Sequence, residues 1–221
     1  MKFIVTRYVV ETPGFNWTSG EGSKMGCDIR VRCSNSSPSG EPVDTSLRTL
    51  IAKIINQHHS YLKRELPVIE TALAEVARGD AGVFAERAST LVTLFLRFRR
   101  ELEGHMKREE ITLFPLIEQL EAAVAEGTPK PRYSFGLLSN AILFMNEDHE
   151  FGHKLLKLMD EISHGFTLGA DASPAYAAAM ARLRALARDL DEHVRKKDKS
   201  LFPEAIRLES SFVLVGKEKT P

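Results

Sequence analysis

Eleven residues starting at His105, which read His105-Met-Lys-Arg-Glu109-Glu110-Ile-Thr-Leu113-Phe114-Pro115, return in altered form 88 residues later as His193-Val-Arg-Lys-Lys197-Asp198-Lys-Ser-Leu201-Phe202-Pro203. Each copy is preceded by another histidine at a similar distance: His59 lies 46 residues before His105, and His149 lies 44 before His193. Such spacing fits a doubled helical hairpin. The first helix of each hairpin carries a histidine, and the second carries a histidine followed by a carboxylate. These residue types hold transition metals between facing helices. The sequence therefore predicts an all-α, up-down-up-down four-helix bundle with a metal site at its middle.

Apolar periodicity supports four helices. The first stripe, Ile51, Ile55, His59, Leu62, Leu66, Ile69, Leu73 and Val76, is broken only by His59. His58 lies about 100° round the same helix and is expected on the surface or flank. The second helix, from about Val83 to Ala125, is interrupted on its apolar face at His105 and Glu109, one turn apart. Pro67 and Pro115 predict kinks. Gly127-Thr-Pro-Lys-Pro131 breaks the chain, and Ser134 offers a cap for a third helix that carries His149 and His153 on its inward stripe. Gly165 suits the left-handed end of that helix, and Ser173-Pro174 suits the start of the fourth. The fourth stripe leads to His193 and closes near Leu208.

The same pattern divides the chain. Residues 1–44 are an irregular arm with one strand-like run, Phe3 to Val10; residues 45–208 form the bundle, and 209–221 form a tail. Cys27 and Cys33 lie in the arm and suit two free thiols in a reducing compartment. Thirty basic and thirty acidic residues cancel, which removes the electrostatic case for a nucleic acid or an anionic membrane as partner. No stretch approaches the roughly 18 apolar residues of a membrane span. The N-terminus also lacks the apolar core of a secretory signal. A cytoplasmic protein is expected.

Seven donors should converge: His59, His105, Glu109, His149, His153, His193 and Asp198. Leaving several imidazoles unpaired in an apolar core would cost about 1 to 3 kcal/mol for each unsatisfied group, so a metal is the better explanation. Seven donors exceed one tetrahedral zinc and fit two octahedral ions bridged by the carboxylates.

In its order of ligands the chain resembles hemerythrin: His59, His105 with Glu109, His149 with His153, and His193 with Asp198, over about residues 46 to 208. The resemblance implies a non-haem centre of two iron ions. His149, His153 and His193 would lie on one iron and His59 and His105 on the other, with Glu109 and Asp198 as bridges and O2 bound reversibly. A second set of strings is similar to the bacterial di-iron proteins that repair iron-sulfur clusters after nitric oxide damage: Leu66-Pro67, His105-Met106, Glu109-Glu110, and Met145 four before His149. Glu101 and Asp148 also match acidic positions of that branch. The chain departs from it at Lys197, where the branch carries glutamate, and in lacking its paired-cysteine module.

The fourth helix leaves two readings. A five-residue step from His193 to Asp198 turns about 140°, whereas Lys197 is only about 40° away. Asp198 reaches the metals if the helix is bulged there; on a regular helix Lys197 points at them, and its ammonium leaves a mononuclear site. The expectation taken forward is Asp198, with Lys197 reaching for solvent. The expected function is a di-iron protein that binds O2 or NO as carrier or sensor. The alternative is a redox or repair factor for nitrosative or oxidative damage to iron-sulfur clusters.

Overall fold

The computed structural model of the chain describes residues 46–79, 82–134, 136–169 and 172–215, and the expected arm lies outside these residues. Four long helices form an all-α bundle. Helix α1 comprises Leu47–Ile54 and Ser60–Gly79, joined by a π turn at Ile55–His59. Helix α2 comprises Val83–Arg108, a π turn at Glu109–Leu113, and Phe114–Glu126. Helix α3 is the unbroken Leu138–Ile162. Helix α4 comprises Pro174–Lys196, a π turn at Lys197–Leu201, and Phe202–Val215, so it runs past the expected close near Leu208. Helix α1 packs against α2 and α4, and α3 packs against α2 and the second half of α4.

Two of the π turns have a visible cause. Each is followed at once by Phe-Pro, at Phe114-Pro115 and Phe202-Pro203. A proline has no N–H to give the carbonyl four residues back, and its ring collides with that carbonyl. Widening the preceding turn relieves the collision. The ladder instead closes through the N–H of Phe114 to the carbonyl of Glu109, and that of Phe202 to Lys197. In α1, the Ser60 hydroxyl donates to the Ile55 carbonyl at 3.0 Å, which serves an acceptor of the widened turn. Pro67 lies within Ser60–Gly79, which stays helical through it.

The core is split in two. One cluster gathers Leu62, Leu66, Phe95, Phe98, Met159 and Leu183 with their neighbours, and the other gathers Ile51, Leu113, Phe114, Ile142, Leu201 and Phe202 with theirs. Along α1, α3 and α4 the histidines fall between the two, and along α2 His105 sits beside Met106, where the first cluster ends. A polar layer therefore crosses an otherwise apolar bundle.

The helix ends show the internal repeat again. Ser46 caps α1 through its hydroxyl, and Glu121 of α2 accepts from the N–H groups of Leu47 at 2.6 Å and Arg48 at 3.1 Å. Ser134 does not cap α3. Its first N–H, on Leu138, donates to both oxygens of Glu209 at 3.0 and 3.1 Å, and Lys130 steadies that carboxylate at 2.8 Å. Glu121 and Glu209 are 88 residues apart, which is also the period of the two metal-ligand strings. Removing a side-chain cap costs about 0.5 to 2 kcal/mol. Glu209 is buried, so Glu209→Ala should fall at the upper end and exceed Glu121→Ala in urea denaturation; equal, negligible losses would show that the caps are idle.

Candidate metal centre

Glu109 is the hinge of the site. It is fully buried, and each of its oxygens faces a different pair of histidines. On one side, Oε2 lies 3.2 Å from His59 Nε2 and 4.0 Å from His193 Nε2, and those two nitrogens are 3.1 Å apart. On the other, Oε1 lies 3.4 Å from His105 Nε2, which is 3.2 Å from His149 Nε2. Among the described residues these are the two groups that bring three metal-ligating side chains together: His59, Glu109 and His193, and His105, Glu109 and His149.

Outer carboxylates set the rings. His59 Nδ1–H donates to Glu110 at 2.7 Å, and Lys63 holds the same carboxylate at 2.7 Å. His105 Nδ1–H donates to Asp148 at 3.2 Å, and Arg108 holds Asp148 at 2.6 Å. A proton fixed on Nδ1 leaves the lone pair on Nε2, turned inward, which is the usual arrangement behind a metal-bound imidazole. The hydrogen bond from His105, ahead of the burial that opposes it, lowers the Asp148 pKa. Burial raises that of Glu110, but Lys63 and His59 overcome it and the net shift is downward.

The donor set fits a cation in its first half. Glu109 Oε2 is buried with no hydrogen-bond donor, and so is His193 Nδ1. Burial, then the charge of Lys197, pushes the His193 pKa well below its ordinary value, the direction that favours a ring free to act as a ligand. A cation about 2.0 to 2.2 Å from nitrogen and oxygen ligands needs neighbouring donors roughly 3 to 3.5 Å apart; the separations of His59 Nε2 from His193 Nε2 and from Glu109 Oε2, 3.1 and 3.2 Å, meet that, and the 4.0 Å between Glu109 Oε2 and His193 Nε2 is wider.

The second half is different, because Lys197 stands in it. Its Nζ is 2.6 Å from Glu109 Oε1, 2.9 Å from His149 Nε2 and 3.2 Å from His105 Nε2, and the side chain is 0% exposed. Burial would raise the Glu109 pKa, but Lys197 foremost among its neighbours drives it well below the ordinary carboxylate range. Burial, then Lys197, likewise lowers His149.

Five of the seven expected ligands are thus brought together: His59, His105, Glu109, His149 and His193. Asp198 is half-buried and falls in neither of these two groups, while Lys197 faces the site. The bulge that Asp198 would need does exist, but it begins at Lys197. The step from His193 to Lys197 stays α-helical, with the Lys197 N–H bonded to the His193 carbonyl. His153, on the same face as His149 but one turn on, lines the wall of the adjoining cavity.

His58 also departs from expectation. It is buried, stacks on His193 with ring centroids 5.2 Å apart, and pairs with Asp189 at 2.9 Å and Lys196 at 3.0 Å. The π turn at Ile55–His59 adds a residue to that turn and brings both of its histidines inward. Regular-helix arithmetic could not show this. Glu110 was visible in the sequence only as the neighbour of Glu109, and nothing in its spacing marked it as the partner of His59.

A cavity of about 280 Å³ reaches the site from between α2, α3 and α4. Phe98, Leu102, Leu156 and Leu190 give it apolar walls, Glu101 and His153 also line it, and His105, His149, His193 and Lys197 bring it to the polar layer.

Residues 50–133 match the hemerythrin HHE cation-binding domain. The chain is 30% identical over 163 residues to the iron-sulfur cluster repair protein YtfE of Edwardsiella ictaluri (strain 93-146), covering 72% of this chain and 66% of that protein. The YtfE of Enterobacter sp. (strain 638) is 28% identical over 174 residues, 75% of this chain and 71% of the relative. That of Escherichia coli O1:K1 / APEC is 26% identical over 163 residues, 72% of this chain and 66% of the relative. The chain spans about two thirds of the length of these relatives. It belongs to the hemerythrin-like, HHE cation-binding family of four-helix bundles, and within it is similar to the iron-sulfur cluster repair proteins.

Proposed function

We propose that this chain is a non-haem iron protein that meets a small diatomic ligand inside its bundle and serves in the repair of iron-sulfur clusters after nitrosative or oxidative damage. The observation that carries the reading is Glu109, buried and shared between two histidine pairs, three of whose histidines, His105, His149 and His193, line a cavity with apolar walls. Iron held there would supply a redox-active centre for binding NO or O2. The chain's own residues do the rest. Glu110 and Asp148 hold His59 and His105 with their Nε2 atoms inward, and Phe98, Leu102, Leu156 and Leu190 keep the approach apolar.

The names of the relatives favour repair over carriage, and Lys197, although it departs from the repair branch, favours a diatomic ligand that one metal can hold. Reversible storage of O2 in the hemerythrin manner draws one electron from each of two ferrous ions, whereas NO needs only one metal. A lysine amine in half of the donor set speaks for the second case. The carrier reading keeps one supporting observation, the apolar cavity, which would retain a bound gas.

The deciding experiment treats an iron-sulfur enzyme with NO, then adds the anaerobic, ferrous-loaded protein and follows recovery of that enzyme's activity. Recovery that depends on His193 supports repair. Absence of recovery, together with repeated reversible O2 uptake through cycles of degassing, would replace it with the carrier.

A further inference from the structure

We infer that this chain holds one metal ion where its donors have the pattern for two, and that the Lys197 ammonium is the built-in second cation. The inference deepens the metal reading above and rests on it. A lysine ammonium has three N–H donors and no acceptor. Here it meets three acceptors, Glu109 Oε1, His149 Nε2 and His105 Nε2, at 2.6, 2.9 and 3.2 Å. Every donor is used, and the group sits among the side chains that would have to enclose a second ion.

In the other half the groups that face Glu109 Oε2 are imidazoles. Glu109 Oε2 has no donor, and His59 Nε2 and His193 Nε2 turn toward each other at 3.1 Å. One carboxylate therefore serves a metal through Oε2 and an ammonium through Oε1. The arrangement is also fixed. Lys197 is 0% exposed and leaves α4 from the first residue of a π turn, one turn after His193, with its amine held by three acceptors. A divalent ion entering the His105, Glu109 and His149 group would have to expel that amine, and would face its charge at close range.

The test counts metal. Full-length protein, stripped by chelation, is reconstituted anaerobically with Fe(II) and, in parallel, with Co(II) or Zn(II), and bound metal is measured after desalting. Electron paramagnetic resonance of the oxidised iron form reads whether the ferric ion is isolated or spin-coupled. The expected result is one ion per chain with an isolated ferric signal. His193→Ala should abolish binding and His149→Ala should retain it. Lys197→Glu, which exchanges the ammonium for a further carboxylate, should raise the count to two and replace the isolated signal with a coupled pair.

Two ions in the unaltered protein would overturn the inference. So would one ion that is lost with His149 and kept with His193. If Lys197→Glu fails to fold, as circular dichroism would show, Lys197→Ala serves in its place, and a count that stays at one in a folded variant also overturns it. A count of one with Co(II) or Zn(II) but none with Fe(II) would leave the inference standing and sink the iron function. No binding of any ion would remove both.

Discussion

Glu109→Ala should lower the unfolding free energy of the metal-free protein by about 3 to 5 kcal/mol, the range for breaking a buried ion pair from one side. The reason is Lys197. Its side chain is fully buried, Glu109 is the carboxylate within hydrogen-bond reach, and its other two partners are imidazole nitrogens, which bring no negative charge. Removing the carboxylate leaves a charge with neither water nor counter-ion. The double variant Glu109→Ala/Lys197→Met should recover most of the loss, because an apolar pair in place of a buried ion pair is often neutral or better. Urea denaturation in chelator compares the unaltered protein, Glu109→Ala, Lys197→Met and the double variant. A single variant that costs less than about 1 kcal/mol, or a double variant that costs the sum of the two singles, would mean that the pair is not coupled as the 2.6 Å contact implies. The same substitution should also abolish metal binding, since Glu109 belongs to both donor groups.

How far the sequence reached, and where it stopped, follows from helix geometry. Stripes with a period near 3.6 showed four helices and placed five histidines inward, because over twenty or more residues an error of one position still leaves the stripe visible. The distance from His105 to Leu113-Phe114-Pro115, repeated from His193, even marked the two prolines that go with π turns. What single-residue reasoning could not settle was the starting point of each turn. A π turn between His193 and position 198 would have brought Asp198 round to the site; the turn that exists starts at Lys197 and leaves lysine there. In α1 the same kind of turn includes both His58 and His59, so a residue expected on the flank is buried. Helix α3, with no π turn, carries His149 and His153 as its stripe suggested, yet only His149 reaches Glu109. The outer partners Glu110, Asp148 and Asp189 depend on how neighbouring helices are set against each other, which a single-chain pattern does not encode.

Lys197→Ala should turn a protein whose stability depends weakly on metal into one that depends on it strongly. In chelator the variant leaves Glu109 buried without its closest cation, and by the argument used for the reverse change the expected loss is again about 3 to 5 kcal/mol. Metal then acts by mass action. A ligand that binds only the folded state adds RT ln(1 + [L]/Kd) for each site, so well above Kd each tenfold rise in free metal adds about 1.4 kcal/mol per site. With one site, the unaltered chain should gain about 1.4 kcal/mol per decade of free Co(II) or Zn(II). With His105, Glu109 and His149 released from the amine, the variant should gain about 2.7 kcal/mol per decade, and should approach the unaltered protein as metal rises. The slope counts sites without any need to isolate the loaded form, and it is insensitive to metal bound loosely to both folded and unfolded chains. Equal slopes in the two proteins would mean that Lys197 does not stand in for an ion, whatever its contacts. A slope near zero in both would mean that the polar layer is held together by its own hydrogen bonds and takes no divalent metal at all.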